Sequence, residues 1–372
     1  MLADDVRAAD DLLDQLGSEA PKIVFAFAAR SRDQKRLHAA LRERLPRGTK
    51  LVGASTAGEV TNRGYSAGSV VLGALSGDFD VGVGVGKNLT RNAAGAGSDA
   101  VEAAAQELGE RVTRLDTRRH VGIVIDDGFR MKKEELLLGV LEKNQGLVVV
   151  GGGAGDDKMR SSALHVDAQE YDDAVLMVLF ATQTPWAALR SHCFSPVGER
   201  VHVTKVDPTS RRILELDGRP AARRYAELVG LRPEDLTFDK VHNWAQHSLA
   251  LRVGREYFLR AVWKADGDES LLGMNLIPED NELEVVRAGD IVESTRKFFT
   301  EEVPRRVPNP SAALLFDCSA RRVATDMAGR LDALGETLRL APPCAGFNVH
   351  LETYCGFQIN STLTTLVFGS AS

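Results

Sequence analysis

The sequence has little cysteine. Four residues, Cys193, Cys318, Cys344 and Cys355, among 372 are too few for a disulfide framework. None belongs to a C-x-x-C pair, Cys344 and Cys355 are too far apart for a zinc knuckle, and H-E-x-x-H is absent, so a structural zinc site is not expected. Long apolar runs are missing too. The longest uninterrupted one, AVLMVLFA at 174–181, has the length of a buried strand; a membrane-spanning helix needs about 20 residues. The opening MLADDVRAADDLLDQLG is acidic and helix-periodic, without the basic and apolar segments of a secretory signal. Nor is positive charge in excess: the net charge is −6, whereas a duplex-binding surface must displace counterions. The short basic clusters (Arg42, Arg44 and Arg47; Arg118 and Arg119; Arg305 and Arg306) have acids close by and read as solvated faces. The expectation is a cytoplasmic protein with no nucleic-acid and no membrane partner.

What is present is an ordinary globular composition, 44% hydrophobic and 26% charged, on a chain long enough for two cores. Residues 4–17 have helical periodicity. KIVFAFAA reads as a strand passing into a helix over 31–45 with Ser31 as its cap. TKLVGAS, SVVLGALSG, DFDVGVGVG and HVGIVIDD read as strands, with helices over 98–112 and KKEELLLGVLEKNQ. The Val–Gly alternation in DFDVGVGVG predicts a glycine face that something approaches closely. LVVVGGGAGDD reads as a strand opening into a glycine loop, and the next two strands, SALHVDAQEY and DAVLMVLFAT, as a hairpin. After a boundary near TQTPWA the chain is richer in strands, WAQHSLALRV among them. AALLFDCSARR reads as a strand ending in a polar turn, followed by a helix from Val323. The fold class expected is α+β: two lobes, each a largely mixed or antiparallel sheet covered by helices. The divisions are an N-terminal helix at 1–21, a first domain at 22–185 and a second at 186–372.

The chemistry concentrates at strand ends. LVGASTAGEV stops an apolar strand in small residues, hydroxyls and a carboxylate. Its Gly-x-Ser-x-Ala resembles a nucleophile elbow but lacks the second glycine, because position 57 is alanine. The other readings are a ligand-binding turn anchored by Ser55, Thr56, Gly58 and Glu59 and a tight strand exit whose hydroxyls satisfy local backbone. GGGAGDD has the same character. It is not G-x-G-x-x-G, so Gly152, Gly153, Asp156 and Asp157 suggest a ligand-amine site, a metal site or a capped turn. GVGVGK fails the P-loop pattern. LLFDCSARR places Cys318 and Arg321 just past a buried strand, where the arginine either grips a ligand carboxylate or forms a structural ion pair. Arg260, inside the aromatic-rich YFLRAVW, must find a partner or sit at a cavity. The eight histidines show no metal-ligand spacing on a helix. As an enzyme the chain would depend on Ser55 or Cys318 as nucleophile for a hydrolase or transferase, without an identifiable base and orienter; the reading adopted is non-enzymatic.

Five segments in one order, LVGASTAGEV, VVVGGGAGDD, RILELDGRPAARRY, ALLFDCSARR and CAGFNVHLETYCGFQINSTLTTLVF, resemble the FIST family from about residue 22 onward, through both its N-terminal and C-terminal domains. The resemblance implies a sensory module for a small ligand, an amino acid or related metabolite. It also implies a separate signalling partner: a histidine kinase, a cyclic-dinucleotide enzyme or a chemoreceptor-type protein. A haem-binding, nitric-oxide-sensing branch is the alternative, with His247 as axial ligand; no other cofactor is implied. Two departures stand out. The family's closing Gly-Phe-x-Thr-Tyr-Gly-Glu has His350 in place of the tyrosine and Leu351 in place of the second glycine, and Ala54 stands where many relatives have cysteine. On this resemblance the GASTAGE and GGGAGDD turns wall a ligand cavity closed by Arg260, Glu352 and Asn360, with His350 at the departing turn.

Overall fold

The computed structural model describes residues 2–17, 19–207, 209–237, 240 and 245–370. It is an α+β fold built on three mixed or antiparallel sheets. In the first, the strands run in the order Gln169–Tyr171, Leu164–Val166, Lys50–Thr56, Ile23–Ala29, Val70–Leu75. The second is the largest. Trp186–Ser191, Leu363–Gly369, Pro310–Cys318 and Cys344–Tyr354 continue through Val148–Ala154, His120–Asp127 and Ala174–Thr182 to Phe79–Lys87. Strands from before residue 185 and strands from after it thus occupy contiguous halves of one sheet. They meet along the seam where Cys344–Tyr354 pairs with Val148–Ala154, and Glu59–Thr61 also pairs with Cys344–Tyr354. The third sheet is made from 194–288 alone.

Strands with apolar middles sit where both faces are covered. Ile23–Ala29, His120–Asp127 and Ala174–Thr182 are buried along almost all of their length, and one face of each lies in a core shared by the first two sheets. There Phe27 packs on Phe347 at 4.7 Å between ring centroids, and Phe316 packs edge-on to Phe347 at 5.9 Å. The parallel pairs are Ile23–Ala29 with Lys50–Thr56, His120–Asp127 with Val148–Ala154, and Pro310–Cys318 with Cys344–Tyr354.

The expected glycine face exists and its partner is a helix. A Cβ at Gly82, Gly84 or Gly86 would lie 2.1, 2.1 or 1.8 Å from a backbone carbonyl oxygen of Ala93–Glu107. That helix starts five residues earlier than the expected 98–112, because the Asn92 side chain caps it by accepting from the Gly95 N–H. Valine at Gly84 is expected to destabilise the protein by about 1–3 kcal/mol through overpacking against backbone that cannot yield, read as a lowered urea midpoint with an unchanged m-value.

Several local expectations are corrected. The helix read over 31–45 spans Gln34–Arg44 and is capped by Asp33, not Ser31. The N-terminal helix is Leu2–Leu13. Strands Val70–Leu75 and Phe79–Lys87, adjacent in sequence, join different sheets. Leu164–Val166 forms its hairpin with Gln169–Tyr171, turning at Asp167 (φ +51°), while Ala174–Thr182 belongs to the large sheet. The expected strand over 244–253 begins outside the described residues and is present as His247–Val253. Gly151, Gly152 and Gly153 are strand, not loop. No polar turn follows Cys318: Ser319–Met327 is a helix from its first residue, its Ser319 hydroxyl donating to the Val349 carbonyl at 3.0 Å. Among the described residues no helix is long and apolar enough to cross a membrane.

Candidate functional site

All three parallel pairs direct carboxyl ends toward one place, the position where open α/β sheets commonly hold ligands. Lys50–Thr56 ends at Ala57, Val148–Ala154 leads to Asp156 and Asp157, and Pro310–Cys318 ends at Cys318 and Ser319; all five of these terminal residues line a cavity of about 260 Å³. Asn348, Val349, His350, Leu351 and Glu352 form its floor, helix residues Ala320, Arg322 and Val323 one wall, and Ala261, Trp263 and Met274 from the third sheet another. The loop Asn360–Ser361 closes it.

The floor is irregular for a reason. His350 pairs with Gly153 and Glu352 with Gly152, so Leu351 is an extra residue, a β-bulge. Leu351 has φ +60°, which costs a non-glycine residue about 1–2 kcal/mol. This is one of the positions where the FIST resemblance expects glycine. The facing glycines permit close backbone approach. A Cβ on Gly152 would sit 2.5 Å from the Val349 Cβ, and one on Gly153 would sit 2.5 Å from the His350 oxygen.

Three floor residues carry buried polar atoms without a partner: Asn348 Oδ1, His350 Nε2 and Glu352 Oε2. Asn348 is fixed by its own N–H, which donates to the Gly58 oxygen at 2.8 Å, and by Nδ2, which donates to Asp317 Oδ2 at 3.4 Å. The His350 ring packs against Phe129 at 4.7 Å, and burial lowers its pKa to about 4, so it is neutral at physiological pH. Glu352 Oε1 accepts from the Thr362 N–H at 2.8 Å and hydroxyl at 2.9 Å; burial outweighs these bonds and raises the carboxyl to about 7. Asp156 and Asp157 share a hydrogen bond. In Asp157 that contact raises the pKa; in Asp156 burial pulls upward, but the bonds from Asp157 and the Lys158 N–H bring it below the ordinary value.

Of the residues expected at a ligand site, Asp156, Asp157, Cys318, His350, Glu352 and Asn360 come together here. Ser55, Thr56 and Glu59 do not. The Ser55 hydroxyl donates to the Gly155 oxygen and accepts from the Ala163 N–H, both at 2.9 Å, so it clamps the loop that carries the two aspartates. Thr56 donates to Glu59, whose other oxygen accepts from the Ser69 N–H at 3.1 Å and hydroxyl at 2.6 Å; burial raises the Glu59 pKa. The strand exit is therefore self-satisfied. Gly58 stands behind the cavity, where a Cβ would lie 2.7 Å from both Arg322 and Asn348. Gly152 and Gly153 support the floor from below. Arg260 donates to the Leu259 and Gln358 carbonyls at 3.2 Å, and its neighbour Ala261 reaches the cavity instead. Arg321 turns away to Asp317 and Thr295, both at 2.5 Å, and lines a second cavity of about 260 Å³ that shares Ala320 and Ser361 with the first.

Neither nucleophile is activated. Ser55 has no accessible surface and both its hydroxyl contacts are backbone, and burial pushes the Cys318 thiol well above its ordinary pKa. Haem does not fit these residues. His247 lies half-buried on the third sheet opposite Arg287 and does not line the cavity. A volume of about 260 Å³ is also below the roughly 300–1,000 Å³ of drug-sized pockets. Among the described residues no group of three His, Cys, Asp or Glu side chains is placed to hold a metal ion. Sequence reasoning missed Arg322, Trp263, Met274 and Asn348 as site residues. A helical reading of SARRV would have pointed to Arg322, whose Nη1 donates to the Ala57 oxygen at 3.1 Å. Trp263 and Met274 come from short strand ends with no distinguishing pattern.

A family model for the FIST N domain matches residues 22–219 and one for the FIST C domain matches residues 221–353. No curated protein matches the chain. Among solved structures, a cyanuric acid hydrolase from A. caulinodans is similar at 8% identity over 98% of this chain and 94% of that one, with a TM-score of 0.34. PurLQS from Thermotoga maritima is similar at 10% identity over 79% and 73%, with a TM-score of 0.18. At these scores neither carries an argument about this chain.

Proposed function

This chain belongs to the FIST family, whose domains are sensory, and on that premise we propose that it is a cytoplasmic sensor for a small molecule, an amino acid or related metabolite. The ligand rests in the cavity at the seam between the lobes 22–185 and 186–372. A separate partner, of the histidine kinase, cyclic-dinucleotide enzyme or chemoreceptor type, reads the bound state. The observation that carries this reading is the origin of the cavity walls: Ala57, Asp156 and Asp157 come from one half, Asn348, Glu352 and Trp263 from the other. A ligand touching both halves stabilises the arrangement in which they are packed together, and so shifts its population.

Tryptophan at Ala320 tests the reading. Ala320 lies half-buried on the wall shared by the two cavities, so a bulky side chain there fills the space. Small molecules that co-purify with the wild-type protein, identified by mass spectrometry, are expected to be absent from Ala320→Trp while its circular dichroism spectrum is unchanged. Equal retention of the same compound by both proteins would place the ligand elsewhere.

A further inference from the structure

The largest sheet ends on an edge that the chain leaves open. Among the described residues Trp186–Ser191 pairs with Leu363–Gly369 on one side and with no strand on the other. The register tells which backbone groups are free. The Gly369 N–H donates to the Pro185 oxygen at 2.7 Å, so 185 and 369 are a hydrogen-bonded pair, and in an antiparallel ladder such pairs alternate with non-bonded ones. Residues 187, 189 and 191 therefore bond to Leu363–Gly369. The N–H and C=O groups of Trp186, Ala188 and Arg190 point the other way, and no hydrogen bond among the described residues engages them. All three residues are half-buried. Their strand lines a groove of about 1030 Å³, larger than the roughly 300–1,000 Å³ of small-molecule pockets.

The edge is recessed between two walls. Along one runs the helical stretch 291–306, which turns Ser294, Lys297, Glu301 and Arg305 toward the groove. Phe298, Phe299 and Val303 of the same stretch pack with Leu189 in a core beneath, which anchors this wall. The other wall is Tyr354 with Glu256. Arg190 fixes it: Nη2 donates to Glu256 and Nη1 to the Tyr257 oxygen, both at 2.7 Å, and the guanidinium lies 5.1 Å from the Tyr354 ring centroid. Val307, Pro308 and Pro185 all crowd Gly369, which places Arg305 and Arg306 at the Trp186 end of the strand. Arg305 has Glu302 at 3.7 Å, and Arg306 has no carboxylate partner among the described residues.

We propose that this groove takes an extended segment of a partner protein, which adds as an antiparallel strand to Trp186–Ser191 and carries acidic side chains near its C-terminal end. Backbone pairing supplies the affinity, as in other additions to a sheet edge. Antiparallel pairing is slightly the more stable per residue, and it sets the C-terminal end of the segment beside Arg305 and Arg306, where acidic side chains complement the charge. Glu301 and Glu302 lie between these arginines and Lys297, so the preference for acid is confined to that end. The Arg190–Glu256 pair on the far wall is already neutralised. A second copy of the chain would bring its own two walls against these, whereas a lone extended segment brings none. Such docking does not depend on what the cavity at the seam binds.

The test is to pan random peptides of about eight residues, displayed on phage, against the whole chain and to resynthesise the enriched sequences for fluorescence polarisation. Enriched peptides are expected to carry Asp or Glu toward the C-terminal end. N-methylation at successive peptide positions is expected to weaken binding about tenfold at alternate positions only, because every second N–H faces the strand. Ala188→Pro is expected to abolish binding with little change in the urea midpoint, since the N–H it removes has no partner in the fold and proline is tolerated on an edge. Arg305→Glu with Arg306→Glu is expected to weaken acid-bearing peptides about tenfold and to spare their Asn and Gln versions. Absence of any enriched sequence, equal binding by a folded Ala188→Pro, or N-methyl losses without a period of two overturns the assignment; the N-methyl series needs no variant of the chain. A dimer in sedimentation that Ala188→Pro abolishes also overturns it, because the occupant is then a second copy.

Discussion

Glutamine in place of Glu352 is expected to raise thermal stability at pH 8 and to leave it nearly unchanged at pH 4. The carboxyl is fully buried, and burial raises its pKa from 4.5 to about 7 despite two bonds from Thr362. The sign follows from proton binding. Below about 4.5 both folded and unfolded chains hold the proton, and the folded state suffers no penalty. Between about 4.5 and 7 the unfolded chain ionises while the folded one keeps its proton, so stability falls as pH rises. Above about 7 the loss is complete and amounts to about 3 kcal/mol, at 1.36 kcal/mol for each pKa unit. Glutamine keeps an acceptor for Thr362 and never ionises, so it escapes the whole of that loss. Paired urea titrations of wild type and Glu352→Gln at the two pH values measure it directly. A stability difference independent of pH would mean that the carboxyl titrates as a solvated group and that Oε2 is reached by water.

How much of this was readable beforehand differs by kind. Ile23–Ala29, His120–Asp127 and Ala174–Thr182 are legible because strands covered on both faces run apolar through their middles. Strand partnership is not. The pairing of His350 with Gly153 joins residues far apart in the chain, and nothing local to either announces the other. Glycines mislead in a specific way. Gly151 to Gly153 look like a ligand cradle, yet each removes a side chain that would strike backbone or a packed neighbour, with Gly151 bringing its missing Cβ to 1.9 Å from the Val124 oxygen. Ser55 was legible as a polar strand end, but not its target: its hydroxyl holds the loop that presents Asp156 and leaves the ligand space to others. Asp156 was legible as a polar residue just past an apolar strand, whereas Glu352 and Asn360 were reached through the resemblance to the FIST family. Trp263 and Met274 were not, because a third sheet supplies them and its docking onto the seam has no local signature.

Asparagine at Asp317 is expected to cost about 3–5 kcal/mol, the largest loss for any single isosteric change near the cavity. Asp317 has no accessible surface and holds three neighbours: Arg321 Nη1 at 2.5 Å, the Tyr65 hydroxyl at 2.8 Å and Asn348 Nδ2 at 3.4 Å. Arg321 is itself buried, with Nη2 on Thr295 Oγ1 and no partner for Nε. Removing the carboxylate charge strands a guanidinium in the interior, and it is this uncompensated charge, not the lost attraction alone, that makes one-sided disruption of a buried pair so costly. Arg321→Met alone is expected to cost a similar amount by leaving the carboxylate unpaired. Asp317→Asn combined with Arg321→Met removes both charges and is expected to cost less than the sum of the two single losses, the difference being a coupling energy of the size seen for contacting residues, about 0.5–3 kcal/mol. Strict additivity of the two single losses would show that the pair does not act as a unit.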